Sequence, residues 1–145
     1  MNKTIFSILV LVAVLTVPVQ AAVTCNAGDL QGQWEIKYYV TRPQQVGVCT
    51  VVFDNNLVPS GSCENLTYDL QSDIFDGEAQ ISKSCNASGK LLLNDGQKIS
   101  FTGKMKADKQ TLSGNIASRL NGYLIKGTAN LRKTAELSCQ VTPLN

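Results

Sequence analysis

Three stretches decide the fold: Lys98-Ile99-Ser100-Phe101-Thr102-Gly103-Lys104-Met105, Thr111-Leu112-Ser113-Gly114-Asn115-Ile116, and Tyr123-Leu124-Ile125-Lys126-Gly127-Thr128-Ala129-Asn130-Leu131-Arg132. In each, apolar residues or glycine alternate with polar ones at period two, the pattern of a strand with one buried and one wet face. Between them lie turn formers. Asn94-Asp95-Gly96 and Asn121-Gly122 supply the positive φ angles of tight hairpins, and Ala107-Asp108-Lys109 suits a slightly longer link. Residues 90–132 therefore predict a four-stranded antiparallel meander.

The theme extends toward the N-terminus. Trp34, Ile36, Tyr38 and Val40 share one face of a first strand, residues 46–53 form a second and 57–64 a third after the Asp54-Asn55-Asn56 turn. Phe75, Gly77, Ala79 and Ile81 are expected to share a face of the fourth. The only helical signal is a turn at Asn26–Gln31. Four strands place a glycine mid-strand on the inward face, in Phe75-Gly77-Ala79, Phe101-Gly103-Met105, Leu112-Gly114-Ile116 and Ile125-Gly127-Ala129. Mid-strand glycine costs stability and marks a bend or a close backbone approach. Bends on the inner face are what a closing sheet needs. The expected fold is all-β: a small antiparallel up-and-down barrel of about eight strands rather than a flat sandwich.

Residues 1–21 have the form of a secretory signal peptide of bacterial type: Lys3, an apolar run from Ile5 to Val17, and small residues before a cleavage point after Ala21. The run is shorter than the roughly 18 residues that suggest a span. Residues 22–145 then form one domain with no transmembrane segment in the mature form, periplasmic or secreted. All five cysteines lie there, and export favours disulfides over metal or redox chemistry. In an up-and-down meander, Cys49 and Cys63 fall at the upper end and face each other across the second hairpin, which predicts a bridge. Cys25, Cys85 and Cys139 gather at the lower end. A Cys25–Cys139 bond would tie the termini together, with Cys85 an open alternative for either.

Charge is divided along the chain. Residues 22–82 hold two basic and eight acidic side chains, a net of −6; residues 83–145 hold ten basic and three acidic, a net of +7. Lys104, Lys106 and Lys126 are expected to form a basic patch on the outer wall that favours anionic surfaces. Nucleic acid is not an expected partner, because Phe101 and Tyr123, the main aromatics of the basic half, have inward parity.

Histidine is absent, which removes Ser-His-Asp, Cys-His and His-zinc chemistry. No Cys-x-x-Cys spacing supports a thiolate metal site, so no metal and no cofactor is expected. The carboxylates Asp69, Asp73, Asp76 and Glu78 are the remaining candidates for catalysis, and they lack the spacing of a calcium loop. Asn65-Leu66-Thr67 and Asn86-Ala87-Ser88 match the glycosylation sequon and are expected to be bare in a bacterial protein. The expectation is a binding protein rather than an enzyme.

Gly32-Gln33-Trp34, opening the first strand after Asp29-Leu30-Gln31, resembles the calycin barrels: lipocalins, avidins and the periplasmic inhibitors of bacterial secreted metalloproteases. The resemblance implies an eight-stranded up-and-down barrel with the Trp packed across its closed end. Two functions follow as expectations. In the first, an interior lined by Trp34, Ile36, Tyr38, Phe75, Phe101, Met105, Tyr123 and Ile125 holds a small apolar ligand. In the second, loops at the barrel end, Thr41–Gln45 and Asn65–Ser72, engage a secreted hydrolase as an inhibitor or bind another surface.

Overall fold

The computed structural model describes residues 21–137; all but the last residue of the expected signal peptide 1–21, and Cys139, lie outside the described residues. A short helix α1 (Ala27–Leu30) precedes eight strands: β1 (Gly32–Thr41), β2 (Gln44–Phe53), β3 (Pro59–Asn65), β4 (Leu70–Ile81), β5 (Asn86–Leu93), β6 (Lys98–Met105), β7 (Thr111–Leu120) and β8 (Tyr123–Ala135). Each strand pairs with the next, and β8 returns to β1, closing an antiparallel barrel in sequence order. The β1–β2, β3–β4, β5–β6 and β7–β8 links form its upper end. Helix α1 and the other links form the lower.

Closure depends on glycines where neighbouring backbones come close. Gly103 and Gly114 face each other across the β6–β7 ladder, and a Cβ on Gly114 would collide with the Thr102 carbonyl and the Gly103 Cα. Backbone cannot yield as a side-chain tip can. Gly114→Val is expected to cost about 3 kcal/mol, the upper part of the overpacking range, seen as a lower urea midpoint at unchanged m. A loss below about 1 kcal/mol would show that the ladder has room.

The inward faces of β1, β6 and β7 match the sequence pattern, with Trp34, Ile36, Ile99, Phe101, Leu112 and Ile116 buried, and β2 adds Val51 and Phe53 to the core. The fourth strand differs. Ser72 and Ile74 are buried, then the register with β5 shifts between Ile74 and Asp76, and the inward series resumes at Gly77, Ala79 and Ile81. Phe75 is the extra residue of this bulge and is 66 % exposed, not interior as expected. One inserted residue reverses the parity on either side of it.

Cys49 and Cys63 pair across β2 and β3 and are bonded. At the lower end Cys25 is bonded to Cys85, not to Cys139. The entering chain is drawn onto the β4–β5 link, where the Cys25 N–H donates to the Lys83 carbonyl at 3.2 Å. The Met105 N–H donates to the Cys85 carbonyl, so the bridge also anchors the end of β6.

Candidate functional site

The lower end is plugged. Trp34 is fully buried, and its indole N–H donates to the Leu30 carbonyl at 2.8 Å, which fastens α1 beneath the barrel. Lys133, inward by the parity of β8, lies with its ammonium 5.4 Å from the Trp34 ring centroid and only 4 % of its side chain exposed. That charge is met by the ring face and by Glu136 at 3.2 Å. Asp29 accepts from the Asn26 N–H and pairs with Lys109 at 3.0 Å. Burial opposes ionisation of Asp29, but the Asn26 N–H and the positive charges of Lys109 and Lys133 outweigh it and hold its pKa below the usual carboxylate value. Lys133 was legible: the alternation of Ile125, Gly127, Ala129 and Leu131 extends to it.

The interior above the plug is filled. Phe53 and Phe101 lie with ring centroids 6.1 Å apart, and Met105 packs its sulfur 3.9 Å from the Cys25 sulfur. Trp34, Ile36, Phe101 and Met105 are all buried as core. Tyr38 and Ile125 are half-buried near the upper end, where they line a void of about 10 Å³ with Val40, Gln45, Ile99 and Ile116. That is room for about one water. The Tyr38 ring occupies the space over Gly47, where a Cβ would collide with it, and burial pushes the Tyr38 phenol pKa up. Tyr123, expected inside, is 78 % exposed, because it is the first residue of β8 and lies beyond the last β1–β8 pair, Val40–Gly127.

Of the exposed large apolar side chains, five lie at the upper end on the β1–β4 side, whereas Val23, Val58 and Leu137 lie at the lower end and Phe75 on the wall. Tyr39 and Val46 pair across β1 and β2 on the outer face, Leu66 and Tyr68 follow on the β3–β4 link, and Leu70 opens β4 opposite Asn65; all five are exposed. The link is held by its own polar groups. The Asn65 carboxamide oxygen accepts the Thr67 and Tyr68 N–H groups at 3.1 and 3.3 Å. The Thr67 hydroxyl accepts the Val46 N–H at 2.9 Å, the Leu66 N–H donates to the Val46 carbonyl at 2.9 Å, and the Asn65 amide donates to Gln45. Leu66 and Tyr68 are thus presented on a braced loop, with Leu70 at its end, close to the Cys49–Cys63 bridge. Glu64, Asp69 and Asp73 put negative charge on the β3–β4 side of this sector, and Lys37 and Arg42 positive charge on the β1–β2 side.

The remaining expected groups are dispersed. The Asp76 carboxylate accepts the Gly77 N–H, and Glu78 pairs with Lys90 at 3.2 Å. Among the described residues, no three Cys, Asp or Glu side chains converge as a metal site. Lys126 does not join Lys104 and Lys106. It stands level with Ala117 and Ser100, four residues or about 13 Å along β6 from Lys104. Among the described residues, no helix is long and apolar enough to cross a membrane. Compared with known proteins, the chain matches no family model, no curated protein and no solved structure.

Proposed function

We propose that the chain is an exported, non-catalytic binding protein that docks a protein partner on the β1–β4 sector of its upper rim. The observation that carries this reading is the placement of apolar area: Trp34, Phe53, Phe101, Leu91 and Leu93 fill the interior, while Tyr39, Val46, Leu66, Tyr68 and Leu70 are all exposed on the β1–β4 side of the upper end. A clustered apolar patch on a small protein is the mark of an interaction surface. The braced 65–70 loop lowers the ordering cost of docking. Glu64, Asp69 and Asp73 favour a partner whose contact rim is basic around an apolar centre. Two disulfides suit the oxidising compartment that residues 1–21 imply. An eight-strand barrel with Trp34 across one end is compatible with a calycin-like origin, and inhibition of a secreted hydrolase is one form that such docking takes.

Native mass spectrometry of protein purified from its own host tests the proposal. A co-purifying protein of basic character is expected. Tyr68→Ser with Leu70→Ser should weaken that complex by at least about 30-fold, as loss of one central anchor does, at a melting temperature close to that of the parent. A retained small molecule, bound equally by the double variant, would sink the proposal and favour ligand carriage inside the barrel.

A further inference from the structure

The β7–β8 hairpin outruns both of its neighbours. β6 follows β7 only as far as the Lys98–Arg119 pair, and β1 follows β8 only as far as Val40–Gly127. The Asn121-Gly122 turn, with φ angles of 49° and 83°, therefore stands clear of the wall together with Tyr123. Tyr123 and Leu124 are both exposed at this tip. Arg119 precedes it, Lys126 follows it, and Lys98 lies directly opposite Arg119.

These three cations lack compensation. Among the described residues, no carboxylate lies within ion-pair distance of Lys98, Arg119 or Lys126. Like charges set directly opposite on neighbouring strands destabilise the sheet. Beside them a shallow groove on the outer wall is lined by Lys90, Leu92, Lys98, Ala117, Arg119 and Leu124, so that apolar and cationic groups share one surface. A protein contact would keep charge out of its apolar centre. Here charge flanks the apolar tip on each strand. An aromatic and a leucine between lysine and arginine match the boundary layer of a bilayer, where rings sit at headgroup depth and cations meet lipid phosphates.

The geometry points to an anionic lipid bilayer as the occupant of this tip, with Tyr123 and Leu124 entering the headgroup layer and Lys98, Arg119 and Lys126 holding its phosphates. This surface adjoins the β1–β4 rim across the β8–β1 ladder, where Thr128 pairs with Tyr39, but it is built from other residues, and the inference goes beyond that docking role. It also replaces the expected patch of Lys104, Lys106 and Lys126 by one built around the hairpin.

Co-sedimentation of the mature protein with vesicles tests it, comparing phosphatidylglycerol mixed into phosphatidylcholine with phosphatidylcholine alone, at low and moderate salt. Retention is expected on the anionic vesicles only, falling as salt rises. Arg119→Ser with Lys126→Ser should lower partitioning about 25-fold, about fivefold for each cation near the surface. Tyr123→Ser should lower it as well, whereas Lys104→Ser, lower on the wall, should not. The Tyr68→Ser, Leu70→Ser variant should bind vesicles like the parent, which separates this surface from the rim. Equal retention on both vesicle types, or unchanged binding by either tip variant with its circular dichroism intact, would overturn the inference.

Discussion

Trp34→Ala is expected to remove about 5 kcal/mol of stability, the top of the range for truncating a buried aromatic. Three losses coincide there. The indole is fully buried, so its deletion opens a cavity at the base of the barrel. Its N–H no longer satisfies the Leu30 carbonyl, which frees α1 from β1. Lys133, with 4 % of its side chain exposed, loses the ring that faces its ammonium and keeps Glu136 and the more distant charge of Asp29. An unsatisfied buried group alone costs about 1–3 kcal/mol. For a domain whose total stability is on the order of 5–15 kcal/mol, the expected loss is between about a third and the whole of it. Urea unfolding followed by circular dichroism reads this directly. Trp34→Phe keeps most of the volume and should lose about half as much; equal stability of Trp34→Ala and parent would mean that the plug does not hold the barrel shut.

The second large effect concerns the lower disulfide. Cys25–Cys85 closes a loop of 60 residues and Cys49–Cys63 one of 14. Chain entropy then assigns about 4 kcal/mol to the first and about 3 kcal/mol to the second. The double variant Cys25→Ser, Cys85→Ser should therefore fall further than Cys49→Ser, Cys63→Ser in chemical denaturation. It also releases the chain that leads into α1, so it should expose Trp34, visible as red-shifted fluorescence. The opposite order of stabilities would count against chain entropy as the main contribution. Mapping the parent by mass spectrometry without reduction should recover a peptide pair joining Cys25 to Cys85; a pair joining Cys25 to Cys139 would contradict the fold at its base.

Period-two alternation, glycine placement and turn chemistry determined eight strands, their order and most of the inward residues from the sequence by itself. These features depend on backbone geometry within a few residues: side chains alternate across any strand, and Asn121-Gly122 adopts positive φ whatever surrounds it. The Cys49–Cys63 pair belongs to the same class, since a hairpin centred on Asn56 sets those two opposite each other. Lys133 was equally readable from parity, yet a lysine among core residues is reasonable only once Trp34 and Glu136 are seen beside it.

Only the tertiary structure decided the rest, because each outcome depends on how far neighbouring strands reach. Phe75 and Ile74 are both apolar, and nothing local says which of them points inward; the pairing of β4 with β5 places the bulge and turns Phe75 out. Tyr123 has inward parity but no layer of neighbours at its height, so it is exposed. Cys25 could meet Cys85 or Cys139 by topology, and the path of the chain beneath the barrel selects Cys85. Whether an eight-stranded barrel is hollow depends on the summed volume of all its inward side chains against a circumference set by closure. Here Phe53, Phe101, Leu91 and Leu93 join Trp34 to fill it, and Tyr39, Val46, Leu66, Tyr68 and Leu70 are left exposed toward its upper end.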